Sequence, residues 1–172
     1  VTTDGETERL SGDEALSAVG LEPVTLEAKE GLALVNGTQL SVGLGALAVR
    51  DATAALRSAD VAGALTTEVT MGSTVPSHEA ISAVRPHPGQ AASARNVRRL
   101  TAESGVVESH RNCDRVQDAY SIRCLPQVHG AVRDALDHLR EAVETELNSA
   151  TDNPLLFARA DDSDRASRTV DA

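Results

Sequence analysis

Lysine is almost absent. Of the 16 Lys and Arg residues in this 172-residue chain only Lys29 is a lysine, against 26 Asp and Glu, and the formal net charge is −10. Phosphate binding needs clustered cations, and the densest basic stretch, "SARNVRRL", is broken by neutral residues, so no nucleic-acid partner is expected. An acidic surface so poor in lysine is what a salt-adapted proteome or a GC-rich genome produces, and composition does not separate the two. Cysteine is scarce as well. Cys113 and Cys124 lack Cys-x-x-Cys spacing, which excludes a disulfide framework or zinc knuckle and leaves reduced thiols as the expectation. His110 and Cys113 would lie one turn apart on a helix, but two ligands do not make a metal site, and His78, His87, His129 and His138 offer no better set, so no metal is expected. Long apolar runs are also missing. No window approaches the ~20 apolar residues of a membrane span, and "VTTDGETERL" is acidic rather than a basic leader before an apolar block. The expectation is a cytoplasmic protein with no membrane span.

What is present is helical periodicity. Hydrophobic residues make up 41% and charged residues 24% of the chain, enough for a single sizeable core. From Leu26 to Leu65 apolar residues recur at three- and four-residue steps, with alanine and leucine dominant. This predicts one long helix or two in succession, with residues 26–60 predominantly helical. Gly31, Gly37, Gly43 and Gly45 each cost a helix about 1 kcal/mol relative to alanine, so they predict close approach to a neighbouring helix or ligand. "RPHPGQ", residues 85–90, reads as a punctuating loop because its prolines remove donors and bias the preceding residues away from helix. A helix over about 91–103 follows it. Residues 104–124 carry no sustained stripe and read as a long, mostly irregular segment of the kind that is more often functional than idle. Val128, Val132, Leu136, Leu139, Val143 and Leu147 then define an amphipathic helix over 126–147. The fold class is all-α, with no sheet of more than two short strands. Residues 1–157 are expected to form a partial helical domain and the polar stretch 158–172 a disordered tail.

Three local patterns could carry chemistry. "GLGALA" at 43–48 matches Gly-x-Gly-x-x-Ala, but that fingerprint works at a strand-to-helix turn and here the apolar spacing runs helically through it, so helix packing is expected. "MGSTVP" at 71–76 is similar to the Gly-Ser-Ser-x-Met-Pro loop of the fumarase and aspartase enzymes, but it lacks the lysine and is one residue short. "QDAYSIRC" at 117–124 gathers an amide, a phenol and a guanidinium at Gln117, Tyr120 and Arg123, in the only segment with a tyrosine. A planar Arg fork suits a substrate carboxylate. The same residues also serve as a plain loop anchor.

"GLEPVTLEAKEGLALVNGTQ" at 20–39, "RPHPGQ", "VQDAYSIRCLPQVHGA" at 116–131 and "NSATDNPLLF" at 148–157 together resemble the aromatic amino-acid ammonia-lyases. "NGTQ" and "YSIRC" are most similar to the histidine ammonia-lyases within that family. The resemblance implies an all-helical fold with long central helices, a homotetramer whose active sites draw on several subunits, and elimination of ammonia from L-histidine to give trans-urocanate. It also implies an electrophilic prosthetic group, 4-methylideneimidazol-5-one, formed from an internal Ala-Ser-Gly. Residue by residue, Asn36 matches the asparagine that hydrogen-bonds this ring or the substrate amine, Tyr120 a tyrosine at the ring, Gln117 a glutamine near the substrate, and Arg123 the arginine that grips the carboxylate. Asn153 in "TDNP" matches a structural position. On this basis the polar interruption at Asn36 is a fixed neighbour for a buried electrophile, and Gly37 lets the backbone come close.

The departures are specific. The only Ser-Gly-Asp, Ser11-Gly12-Asp13, follows Leu10 rather than alanine, lies just ahead of "GLEP" where the family's triad is well upstream, and has Glu14 placed for a capping box. It is not expected to form the electrophile. Ala119 stands where the family has proline, and Leu125 and His129 replace a glutamine and a methionine. The chain is therefore expected to be the middle of such a lyase and inactive alone. Phenylalanine or tyrosine lyase activity, or a non-catalytic helical oligomerisation relic, are the competing expectations.

Overall fold

The computed structural model describes residues 2–3, 6–7, 9–157 and 168–170. The chain divides into two compact units, residues 1–37 with 151–172, and residues 38–150. Among the described residues no helix is long and apolar enough to cross a membrane.

The first unit holds two short helices, α1 (Gly12–Ser17) and α2 (Glu30–Val35), and two two-stranded antiparallel sheets, β1 (Thr2–Thr3) with β2 (Glu6–Thr7) and β3 (Leu155–Phe157) with β4 (Arg168–Val170). α1 starts in the expected capping box. Glu14 N–H donates to Ser11 Oγ at 3.3 Å and Ser11 N–H donates to Glu14 Oε2 at 3.0 Å, which satisfies two of the helix's orphan donors. Those bonds, from the Ser11 side chain first, hold the Glu14 carboxyl below its ordinary range. The single lysine is committed locally: Lys29 pairs with Asp152. Of the tail, residues 168–170 pair with residues 155–157, and the expectation of disorder over 158–167 and 171–172 lies outside the described residues.

The second unit is built from α3 (Gln39–Val69), a 3₁₀ turn (Val75–Ser77), α4 (Glu79–Val84), α5 (Pro88–Leu100), α6 (Gly105–Ser109), α7 (Tyr120–Arg123) and α8 (Leu125–Leu147). α8 packs against both α5 and α3. α3 buries one narrow stripe, Val49, Leu56, Asp60, Ala64 and Thr67, at the spacing one helix face requires. Several of its apolar side chains outside that stripe stay open: Leu40 is 78% and Leu65 56% exposed.

A buried charge ties the three helices. Asp60 of α3 is 1% exposed; its Oδ2 accepts from Asn96 Nδ2 of α5 and from Arg133 of α8, both at 2.7 Å, and its Oδ1 lies 2.9 Å from His129 Nδ1 of α8. A carboxylate removed from water needs this many partners to remain charged. A second tie joins α5 to α8. Gly89 N–H donates to Asp134 Oδ1 at 2.7 Å, and the helices touch backbone to backbone, since a Cβ on Gly130 would lie 2.4 Å from Gln90 N and one on Gly89 2.2 Å from Gly130 O.

Three expectations need correction. "RPHPGQ" is not loop throughout: Pro88 opens α5, because a first-turn proline gives up an N–H that the helix would not use and brings a helical φ, and α5 then ends at Leu100, short of residue 103. Asn36 does not interrupt a continuous helix; it is the cap that ends α2, and α3 begins beyond Thr38. The glycine-rich face is also less crowded than expected. Gly45 does meet α8, with a Cβ position 3.5 Å from Val143, but a Cβ on Gly43 would meet nothing within 4 Å. "GLGALA" lies wholly inside α3, which removes the strand-to-helix turn that dinucleotide binding needs.

Candidate active site

α6 ends at Ser109, and the chain then runs without regular structure to Tyr120. Such a segment has no ladder of backbone bonds, so side chains must fix its path. Asp118 does much of this. Its side chain is only 6% exposed; Oδ2 accepts from Ser73 N–H at 2.7 Å and Oδ1 from Arg115 at 3.2 Å, while Arg115 also donates to Thr70 O at 3.3 Å.

The receiving surface is the turn after α3. Met71 has φ 53°, a left-handed conformation unusual for a side chain of its size. Gly72 N–H donates to Thr67 O at 2.7 Å. A Cβ on Gly72 would stand 3.2 Å from Thr67 O and 3.4 Å from Ile122 Cγ2, so the bare Gly72 backbone lets α7 sit close. Met71, Ser73, Arg115, Gln117 and Asp118 share a cavity of about 310 Å³.

α7 then brings Tyr120 and Arg123 together, with the guanidinium carbon 5.2 Å from the centre of the Tyr120 ring. Tyr120 is 72% exposed. Arg123 is half-buried, its Nε is shielded from solvent without a hydrogen-bond partner, and among the described residues it forms no ion pair. A planar fork with unmet donors is the kind of group that a bidentate carboxylate would satisfy. Gln117 is exposed on the cavity wall, which does not include Tyr120 or Arg123. Asn36 lies in the first unit, exposed, and donates its amide to Asn153 O at 2.7 Å. Asn36 of the "NGTQ" block is thus hydrogen-bonded to Asn153 of "TDNP" within the first unit.

Sequence reading missed Asp118, Arg115 and Ser73. The signal was available in part: Arg115 and Asp118 stand at i, i+3 beside Gln117. Nothing in the sequence pairs either with residues 70–73. Among the described residues no group of three His, Cys, Asp or Glu side chains could hold a metal ion; His110 and Cys113 are linked only by a turn, Cys113 N–H to His110 O at 3.2 Å.

The sequence profile described as "Aromatic amino acid lyase" matches residues 2–170. The chain belongs to the aromatic amino acid lyase family. It is 69% identical over 165 residues to a Halobacterium salinarum protein named "Probable histidine ammonia-lyase" and 56% identical over 143 residues to the histidine ammonia-lyase of Sorangium cellulosum. These alignments cover 92% and 83% of this chain but 31% and 28% of the relatives, so the chain spans about 30% of the length of the curated relatives it matches. Among solved structures it superposes on the histidine ammonia-lyase of Trypanosoma cruzi with a TM-score of 0.70 at 41% identity, over 92% of this chain and 28% of that one. It superposes on the phenylalanine aminomutase of Pantoea agglomerans with a TM-score of 0.73 at 34% identity, over 91% and 33%. The all-helical expectation holds, and the family assignment made on the four sequence blocks holds with it.

Proposed function

We propose that this chain is the substrate-gripping part of a cytoplasmic histidine ammonia-lyase, which eliminates ammonia from L-histidine to give trans-urocanate. The observation that carries the proposal is the unpaired, half-buried Arg123 guanidinium beside Tyr120, in a chain 69% identical to a protein of that name. Arg123 takes the substrate carboxylate in a two-point bond that fixes the Cα–Cβ axis. Gln117 orients the substrate by hydrogen bonding. The Tyr120 phenol can hold or pass a proton at the reacting centre, and Asn36 offers an amide to the amine or to the prosthetic group. The open leucine face of α3 supports burial against further copies in a homotetramer.

The family's 4-methylideneimidazol-5-one would supply the electron sink that loss of a weakly acidic β-proton requires. The Asn36 amide, which gives one of its two hydrogens to Asn153 O, would hold such a group with the other. No Ala-Ser-Gly occurs in the sequence, and the Ser11 hydroxyl is engaged in capping α1. The ring is therefore supplied, in this proposal, by residues outside these 172.

The 172-residue chain incubated with L-histidine is expected to give no urocanate absorbance, and its intact mass should show no loss of two waters. Urocanate made by these residues alone would sink the proposal. The test of Arg123 uses a complete lyase carrying this segment in place of its own. Arg123→Lys keeps the charge and loses the fork, and kcat/KM for L-histidine should fall by the equivalent of about 1.5 to 3 kcal/mol. An unchanged kcat/KM removes Arg123 from carboxylate binding.

A further inference from the structure

We infer that Asp118 is a positioning residue for Gln117 and Arg123, and that the Met71-Gly72-Ser73 turn is the seat on which it sets the substrate-gripping segment. The inference rests on the function proposed above.

The segment from His110 to Ala119 has little regular bonding to hold it, yet a substrate clamp requires placement to within a fraction of an ångström. Asp118 lies next to Gln117 and immediately before the residue that caps α7. Its carboxylate is nearly buried although the residues around it are exposed. Two donors meet it, one from the turn after α3 and one from Arg115, and Arg115 returns to the same turn through Thr70 O. The loop is therefore clamped at two points on one rigid helix end. Ile122 seats α7 against the bare backbone of Gly72, between Tyr120 and Arg123 in sequence. Ser73 presents its N–H only because the chain has turned left at Met71. The turn that resembled a fumarase-type loop thus serves to receive the loop rather than to catalyse. Charge matters as well as shape, since an ionised acceptor makes shorter and stronger bonds than an amide would.

If Asp118 positions the clamp, loosening it weakens the grip on substrate more than it slows the chemistry of bound substrate. In a complete lyase carrying this segment, Asp118→Ala should raise KM for L-histidine about tenfold or more while kcat in the assembled enzyme changes less than about threefold. Asp118→Asn retains an acceptor for Ser73 N–H but loses the charge facing Arg115, so it should recover a large part of the KM loss. A purely architectural residue would instead lower the yield of active enzyme and leave KM unchanged. That outcome, or equal KM values for all three forms, overturns the inference. Amide hydrogen exchange supplies a readout that does not depend on the reaction. Exchange at Ser73 and across residues 115–123 should quicken about tenfold in Asp118→Ala, and unchanged exchange there refutes the clamp even if the enzyme proves to act on another substrate. Absence of histidine turnover in the unsubstituted enzyme would count against the proposed function alone, leaving exchange to decide the role of Asp118. Should Asp118→Ala fail to fold, the same two measurements on Asp118→Asn decide it, with a KM rise and faster exchange of smaller size expected.

Discussion

Asp60→Ala is expected to destabilise the second unit by about 3 to 5 kcal/mol, the range for removing one partner of a buried ion pair. The loss is large because Arg133, whose side chain is 19% exposed, would be left without its carboxylate, and Asn96 would lose its acceptor. Asp60→Asn keeps the shape and should cost less. Burial pushes the Asp60 carboxyl up, but the hydrogen bonds from Asn96 and His129 and the charge of Arg133 outweigh it, so the folded state holds this group below its ordinary range. A carboxyl depressed on folding stabilises the fold at pH values above its unfolded pKa, about 3.9, and that contribution disappears as pH falls through the folded value. Denaturation midpoints measured between neutral pH and about pH 3 should therefore fall more for the unsubstituted chain than for Asp60→Asn. Parallel curves would show that Asp60 is not the titrating staple.

Gly130→Val is the second substitution expected to have a large effect. The added side chain must enter a space already taken by Gln90 backbone, and backbone cannot rotate aside as a side-chain tip can. Separation of α5 from α8 would also draw Asp134 away from Gly89 N–H. The expected loss is about 3 kcal/mol, at the upper end for overpacking, read as a lower urea midpoint at constant slope. A loss under about 0.5 kcal/mol would mean that the helices can part at little cost.

Much of this was legible in the sequence, for identifiable reasons. α3 and α8 announced themselves through apolar spacing, and the Ser11–Glu14 box through residue types at fixed offsets, because both signals are local. "QDAYSIRC" drew attention because it held the only tyrosine with a forked cation beside it. The start of α5 was misplaced because proline is read as a breaker, and whether it breaks or begins a helix depends on the structure that precedes it. Apolar periodicity persists through the three-residue break at 36–38, so spacing alone leaves one long helix or two in succession open, and the structure has two. What stayed hidden was tertiary. Asp60 stands in register with Leu56 and Ala64, a charge inside a buried stripe, but its partners come from two other helices. Asp118 and Ser73 are far apart in sequence, and no spacing rule joins them.

The claim that these residues are the substrate-binding part of a histidine ammonia-lyase is tested most directly by grafting residues 2–170 into the Halobacterium salinarum relative in place of its matching segment, and following urocanate absorbance. The graft should convert L-histidine, with no comparable turnover of L-phenylalanine or L-tyrosine. A graft that assembles and shows the two-water mass loss of ring formation, yet produces no urocanate or prefers phenylalanine, would contradict the account.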